Sequence, residues 1–253
     1  MELHFLENGP LDNGTAVLTG SEARHISKVL RHRAGERLFV TDGRGTEYEL
    51  ELTAVEPERV AGNVVNRRSR PRETGHRVVL AQGVVKGGHM AEIVGAVTQL
   101  GVSRVVPVGM ARSVAGLGRS RLARLRSVAV EAVKCSTRTV VPEVAEPATV
   151  AELAAMVADH DQALLAYVDE PETGLAEVCD RTAGSTLLMI GPEGGFAPEE
   201  VEQLRAAGAR SFTMGPRRMR AEVAAVAAVA NVMQLLGEME GEGSKAKDER
   251  RCC

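Results

Sequence analysis

Residues 191–195 read Gly-Pro-Glu-Gly-Gly, set between the apolar run Thr186–Ile190 and the sequence Pro198-Glu199-Glu200. Glycines at 191, 194 and 195 let a backbone approach a ligand closely or take positive φ, and one carboxylate, Glu193, stands among them. The spacing fits neither G-x-x-x-x-G-K-[ST] nor G-x-G-x-x-G, and an acid inside the loop repels phosphate. Carbonyls, amides and one carboxylate suit a cationic or hydroxyl-rich ligand better. A methyl donor of the sulfonium type, with a positive charge beside a ribose and an adenine, is such a ligand. The alternative is a tight strand-to-helix turn with no ligand. A second stretch has the same layout. An apolar run ends at Met214, Gly215-Pro216 makes a turn, Arg220 follows, and a helical pattern begins at Ala221 and stops at Gly237.

Such loops need rigid elements on either side. The continuous apolar run before Gly191 predicts a buried strand, and Pro198 with two following carboxylates predicts a helix start. The first loop therefore lies at the carboxyl end of a strand, the edge at which open α/β sheets bind ligands. Strand-length runs recur at 77–82, 104–108, 162–168, 185–191 and 210–215. Helical patterns separate them over Met90–Leu100, Ser120–Cys135, Val150–Asp159 and Pro198–Ala207. Strand followed by helix, repeated, predicts an α/β domain with a largely parallel sheet. The last helical stretch, Ala221–Leu236, has Glu222 as its one charge and is apolar nearly all round. It must be buried on several sides, within the core or against a second subunit, so a homodimer is expected.

Before residue 70 the rhythm differs. Asp42-Gly43 is a hairpin signal and Glu47–Leu52 alternates polar with apolar, which predicts a small β domain. Residues 66–77 read as a polar linker, and 238–253 as a tail too polar and Gly-rich to pack, expected to be disordered. A chain of 253 residues with 44% hydrophobic content buries a substantial core as one large domain or two. It has no charged-then-apolar leader, and its most apolar stretch is shorter than the roughly 20 residues that span a bilayer, so a cytoplasmic protein without membrane contact is expected. Cys135, Cys179, Cys252 and Cys253 lack C-x-x-C spacing; free thiols and no metal are expected. With no Trp, two Tyr and four Phe, aromatic stacking is not the main grip on a ligand.

The net charge of -3 hides a segregation. Arg24–Arg44 is basic, Arg59–Arg77 holds six Lys/Arg against one acid, and Arg104–Arg138 eight against one, whereas Glu143–Glu202 holds fourteen acids and only Arg181. One such block is an ordinary solvated face. Three together suggest a polyanion held through its phosphates.

The segments IGPEGGFAPEEVE and MGPRRMRAEVAA, with HISKVLRHRAGE, DGRGTEYELEL, KGGHMAEIV, LGVSRVVPV, ARSV and EAVKCSTRTVVPEV, together resemble the RsmE family of 16S ribosomal RNA uridine-N3 methyltransferases. The likeness spans residues 1 to about 237. It implies a PUA-like RNA-binding β-barrel over 1–70 and a SPOUT-type α/β methyltransferase domain over 71–237. In that fold a trefoil knot forms the S-adenosylmethionine pocket at a dimer interface. It further implies that Ile190, Gly191, Glu193, Gly195, Met214, Gly215 and Met219 bind the donor, largely through backbone. Glu170, at the end of AYVDE, matches an acidic family position; its other reading is a solvated loop carboxylate. Lys28, Arg31 and Arg33 fall in the family's basic motif and are expected to bind phosphates of 16S rRNA or the small ribosomal subunit without reading bases. His25, in the same motif, reads equally as packed structure.

Uridine N3 lies on the Watson–Crick edge and carries a proton, so the implied chemistry needs an unpaired or flipped base that loses that proton before it attacks a methyl carbon. Positioning of the two reactants is worth roughly 7–11 kcal/mol. A guanidinium over the developing uracil anion adds electrostatic stabilisation, and Arg220 is the candidate. Glu222 either orients Arg220 or takes the proton, or else is an ordinary helix-start carboxylate worth about 0.3–1 kcal/mol. Several positions depart from the family pattern: Ala96 and Gln99 for Lys and Glu, Lys134 and Cys135 for Glu and Gln, Ala221 and Val223 for two Thr. They keep open a SPOUT enzyme with another RNA target and a catalytically weakened RNA-binding paralogue.

Overall fold

The structure is a computed structural model of the chain, and it describes residues 2–240 apart from 8, 11–13, 114, 115 and 171. The expected tail from 241 on, with Cys252 and Cys253, lies outside the described residues, as does Val114 of the ARSV motif. The described residues form two compact units, one within 2–73 and 130–141, the other within 74–129 and 142–240.

The first unit is a five-stranded mixed sheet in the order β1-β3-β4-β5-β2, made of β1 (Leu3–Phe5), β2 (Thr15–Thr19), β3 (Arg37–Thr41), β4 (Thr46–Glu56) and β5 (Arg59–Ser69). Its hairpin forms where Asp42-Gly43 predicts it. The Asp42 Oδ1 accepts from the amides of Arg44 (2.8 Å) and Thr46 (3.0 Å), and Gly43 has φ +69°. Register shifts at Glu49/Leu50 and Leu52/Ala54 bend β4 against β5. One face buries Leu18, Leu38, Val40, Leu50 and Val60 with Ile26. Ile26 comes from a π-helical turn, His25–Val29, that continues the short helix α1 (Gly20–Arg24). The strand β5 runs to Ser69, so the first four residues of the expected linker belong to the sheet.

Residues 130–141 join this sheet through a buried carboxylate, Glu73, and through Arg72, whose Nε donates to the Thr137 carbonyl at 2.8 Å. Glu73, whose side chain is 2% exposed, pairs with Arg138 at 2.8 Å and accepts from the amides of Thr139 (2.6 Å) and Val140 (2.9 Å). Glu47 is paired with Arg72 and lies 3.6 Å from Arg68. Lys134, one of the departures, is engaged too: its Nζ lies 2.8 Å from both Glu22 and Glu131.

Burial pushes the Glu22 carboxyl up, but hydrogen bonds and charge from His4 and Lys134 outweigh it and hold the group at about 2, against an ordinary 4.5. A carboxylate depressed in this way stabilises the fold above its unfolded-state value, and the stabilisation is lost as pH falls from about 4.5 through 2. On the order of 3 kcal/mol is at stake. Denaturant unfolding of wild type and Glu22→Gln at pH 6 and pH 3 is expected to show the two proteins converging in stability at the lower pH. A constant difference would mean that Glu22 carries no such pH-dependent stability.

The second unit is an α/β domain. Its strands are β6 (Arg77–Gly83), β7 (Arg104–Gly109), β8 (Glu143–Val144), β9 (Ala148–Thr149), β10 (Gln162–Ala166), β11 (Ser185–Ile190) and β12 (Arg210–Phe212). They pair in parallel in the order β12-β10-β11-β6-β7-β8, with β9 beside β7. The central strand β11 is buried at all six positions, as its unbroken apolar run requires. Helices α2 (His89–Gln99), α3 (Arg119–Ser136, of which Val130 onward belongs to the first unit), α4 (Val150–Met156), α5 (Leu175–Val178), α6 (Pro198–Ala206) and α7 (Ala221–Leu235) join the strands or follow them. Val79, Val106, Leu165, Leu187 and Met189 bury one face against Leu153, Val201 and Leu204 of α4 and α6. Helix α7 packs on α2 and β11 through Ala225, Ala228, Val229, Val232 and Met233. No helix among the described residues is long and apolar enough to cross a membrane.

Three elements are shorter than their patterns predict by two residues or more. Strand β10 ends at Ala166 and β12 at Phe212, and the helix over 150–159 becomes a 3-10 turn at Val157–Asp159.

Candidate functional site

Strands β12, β10 and β11 are neighbours and parallel, so their carboxyl ends open at one edge of the sheet. The chain after each strand turns there to line a single cavity of about 710 Å³: Tyr167–Asp169 after β10, Gly191–Phe196 after β11 and Thr213–Gly215 after β12. Lys86 and His89, after β6, Arg112, after β7, and residues 217–222, leading into α7, contribute as well. The volume is within the range of small-ligand sites. All seven residues assigned to the donor line this cavity, and so do Arg220 and Glu222. Lys28, Arg31 and Arg33 do not line it. They lie in the first unit, exposed, on the π-helical turn and the loop after it, with no ion pair among the described residues. Arg31 takes φ +58°. His25 is half-exposed, its Nε2 2.8 Å from an exposed Glu2 carboxylate and its ring 6.0 Å from that of His4.

Backbone packing shapes the Gly191–Gly195 loop. A Cβ on Gly83 would meet Pro192 N and Cδ at 2.5 Å and Gly191 C at 2.9 Å, so the end of β6 touches the loop only because residue 83 has no side chain. Beside it the buried Gln82 donates from Nε2 to the carbonyls of Gly83 (3.0 Å) and Gly191 (3.1 Å). Glu193 Oε1 accepts from the Lys86 amide at 3.0 Å, and Arg112 donates to the Gly194 carbonyl at 3.1 Å. Gly195 has φ +69° and open space where a Cβ would point; the sign of φ selects glycine there. At the start of α6, Pro198 occupies the first turn, and Glu200 Oε2 accepts from the Ala197 amide at 2.8 Å. Its Oε1 accepts from the Ala111 amide, also at 2.8 Å, so the carboxylate predicted for a helix start also anchors the segment that carries Arg112.

The walls are of mixed charge. Lys86, Arg112, Arg217, Arg218 and Arg220 face the cavity together with Asp169, Glu193 and Glu222, and Ile190, Met214 and Met219 supply apolar surface. The Arg220 side chain is 82% exposed and reaches only to 4.0 Å from Glu222, a weak surface pair. The acid after β10 that lines the cavity is Asp169. Glu170 does not line it and is not merely solvated; its carboxylate is bound by Arg205 (2.9 Å) and Ser211 (2.9 Å). Burial and the neighbouring Asp169 push the Tyr167 phenol up.

Many bases in the long basic blocks have partners. Besides the pairs of the first unit, Arg126 meets Glu146 and Arg104 meets Glu143, each at 3.1 Å. The cationic surface left for a polyanion is narrower than the linear count implies.

The strand ends and glycine loops of the parallel sheet enclose a small-molecule cavity, and the same chain carries a mixed-sheet unit. Family models match both parts of the chain. Residues 72–233 match the RNA methyltransferase domain and 18–65 the RNA methyltransferase PUA domain. The ribosomal RNA small subunit methyltransferase E of Bacillus subtilis (strain 168) is 31% identical over 228 residues, covering 86% of this chain and 89% of that protein. The protein of that name in Mycobacterium bovis is 28% identical over 249 residues, covering 96% and 95%. A crystal structure of a ribosomal RNA small subunit methyltransferase E from Neisseria gonorrhoeae, bound to S-adenosyl methionine, is 27% identical and superposes with TM-score 0.83 over 93% of this chain and 98% of that one. The chain belongs to the RsmE family of ribosomal RNA small subunit methyltransferases.

Proposed function

We propose that this protein transfers a methyl group from S-adenosylmethionine to N3 of a uridine in 16S ribosomal RNA. The observation that carries this reading is the convergence of both motif loops, 191–195 and 214–224, on one cavity in a chain of this family. The relative from Neisseria gonorrhoeae is described with that donor bound. The residues present fit such a ligand: glycine backbone at 191, 194, 195 and 215, the apolar side chains of Ile190, Met214 and Met219, and acids at 169 and 193 beside a cationic centre. When bound, the donor supplies an electrophilic methyl group on a sulfonium.

The chain's residues supply the rest. The backbones of Ile190, Gly191, Gly195, Met214, Gly215 and Met219 hold the donor, and Glu193 keeps the loop in register through the Lys86 amide. Arg220 stabilises the uracil anion as N3 loses its proton, and Glu222, next to it at the first turn of α7, orients the guanidinium or takes that proton. In the first unit Lys28, Arg31 and Arg33 hold RNA phosphates. A second copy of the chain covers α7, whose Val223 (51% exposed), Val226, Ala227 and Ala230 form a partly exposed apolar stripe at helical spacing. The trefoil threading implied by the family belongs to this reading.

The test is methyl incorporation from labelled S-adenosylmethionine into small-subunit RNA from cells lacking the endogenous activity, with free RNA and assembled subunits compared. Saturable incorporation into either supports the reading, and none into both contradicts it. Charge reversal at Arg31 and Arg33 is expected to weaken RNA binding and to reduce the log-log salt slope by roughly 0.7–0.9 for each phosphate that is no longer neutralised. An unchanged slope would remove these arginines from the RNA interface.

A further inference from the structure

We propose that Arg205, which lies outside the cavity, is a positioning residue that sets the Tyr167–Glu170 wall against the methyl donor. The proposal rests on the reading of the cavity as the donor site.

The wall is a turn. Strand β10 ends at Ala166, and the Glu170 amide donates to the Tyr167 carbonyl at 3.3 Å, so Val168 and Asp169 are carried at its tip into the cavity. Arg205, in the last turn of α6, holds both ends of this turn. Its guanidinium carbon stands 5.7 Å from the centre of the Tyr167 ring, and its Nη2 donates to Glu170 Oε2 at 2.9 Å. The same guanidinium donates to Ser211 Oγ of β12 from Nε (3.0 Å) and Nη2 (2.7 Å), and Ser211 Oγ donates in turn to Glu170 Oε2 at 2.9 Å. Thr173 adds a contact to the other Glu170 oxygen at 3.4 Å. One planar group thus ties α6, β12 and the turn after β10 together, and all three are elements whose chain ends build the cavity.

A solvent-exposed ion pair contributes little to stability. Here the arginine is 37% exposed and its carboxylate partner 15%, and a guanidinium that lies over Tyr167 while meeting Glu170 with one nitrogen and Ser211 with two is an arrangement that lysine cannot reproduce. The interaction spends its specificity on the orientation of Tyr167 and Asp169. Without Arg205, the turn has several arrangements of which only some fit the donor, and apparent affinity falls by the fraction that fit.

The experiment is calorimetric titration of S-adenosylmethionine into wild type, Arg205→Ala, Arg205→Lys, Glu170→Gln and the Arg205→Ala/Glu170→Gln double variant, with steady-state methylation and thermal unfolding of each. The expected result is a roughly 10-fold rise in donor Kd and KM for Arg205→Ala, with kcat little changed. Arg205→Lys should recover little of the loss, and the double variant should be no worse than Arg205→Ala. Amide exchange at 167–170 should speed up in the single variants before the donor is added. Donor affinity unchanged in Arg205→Ala overturns the proposal, as does a loss that is additive in the double variant. If wild type itself binds no donor, the reading of the cavity has failed instead, and faster exchange at 167–170 in Arg205→Ala then still reports whether the arginine fixes the turn.

Discussion

Arg220→Ala is expected to lower the single-turnover methylation rate about 100-fold or more while donor and RNA affinities change little. The reason lies in when the charge appears. Uracil is neutral when it binds and becomes anionic only as N3 loses its proton, so a guanidinium placed over it contributes more in the transition state than in the bound complex. The structure supplies a residue able to do this. Arg220 sits at the N-cap of α7 with extended backbone (φ -67°, ψ 152°), its side chain 82% exposed at the cavity and its nearest acid, Glu222, 4.0 Å away. Among the described residues no strong partner has to be displaced when the base arrives. Arg220→Lys should recover only part of the rate, because an ammonium keeps the charge and not the planar fork. Single-turnover kinetics at saturating donor, with separate binding titrations, measures both quantities. A normal rate with weakened RNA binding would make Arg220 a phosphate ligand.

Gly83→Ala is expected to lower S-adenosylmethionine affinity about 100-fold with the chain still folded and RNA binding retained. The added Cβ lands 2.5 Å from Pro192 N, and neither neighbour can yield by rotating a side chain, because both contacts to Pro192 and the one to Gly191 involve backbone or a proline ring. The loop 191–195 must move as a body; a misplacement near 1 Å can cost on the order of 100-fold in rate, and a loss of the same order is expected in donor affinity. Calorimetry with the donor, alongside circular dichroism, separates a displaced loop from an unfolded one. Unchanged affinity would mean that the position of Gly191–Pro192 does not govern donor binding.

These two residues differ in how far the sequence reveals them. Arg220 follows a strand and a Gly-Pro turn and opens an apolar helix, all local features, and its place at the cavity agrees with that pattern. Gly83 owes its importance to a segment more than a hundred residues later. Its only local trace is a glycine directly after the run Arg77–Gln82. The same distinction holds across the fold. Nearly unbroken apolar runs mark β6, β7 and β11 to within a residue or so, because strands buried on both faces leave few polar positions. The runs at 162–168 and 210–215 overstate β10 and β12 because the residues at their ends, Tyr167–Val168 and Thr213–Gly215, are apolar or small for another reason: they turn aside to line the cavity. The attachment of residues 130–141 to the first unit depends on Glu73 meeting Arg138 and two amides, and no periodicity encodes a buried pair of that separation. Family likeness marked an acid after β10, but only packing distinguishes Asp169, in the wall, from Glu170, bound behind it by Arg205.

The departures from the family pattern divide in a similar way. Lys134 stands where the pattern has a glutamate, and the structure gives it two carboxylates, Glu22 and Glu131, so the substitution is compensated locally. Ala221 is buried and Val223 exposed at the start of α7, and Ala96 and Gln99 lie near the end of α2; nothing in the structure explains these choices.

The central claim is that this cavity methylates uridine at N3. Its most direct test is to let the protein transfer a labelled methyl group from S-adenosylmethionine to unmodified small-subunit RNA, digest the RNA to nucleosides, and identify the labelled one by chromatography and mass spectrometry. The expected result is 3-methyluridine from a single site, absent with Arg220→Ala on the same timescale. Label in a ribose-methylated nucleoside or in another base would contradict the claim.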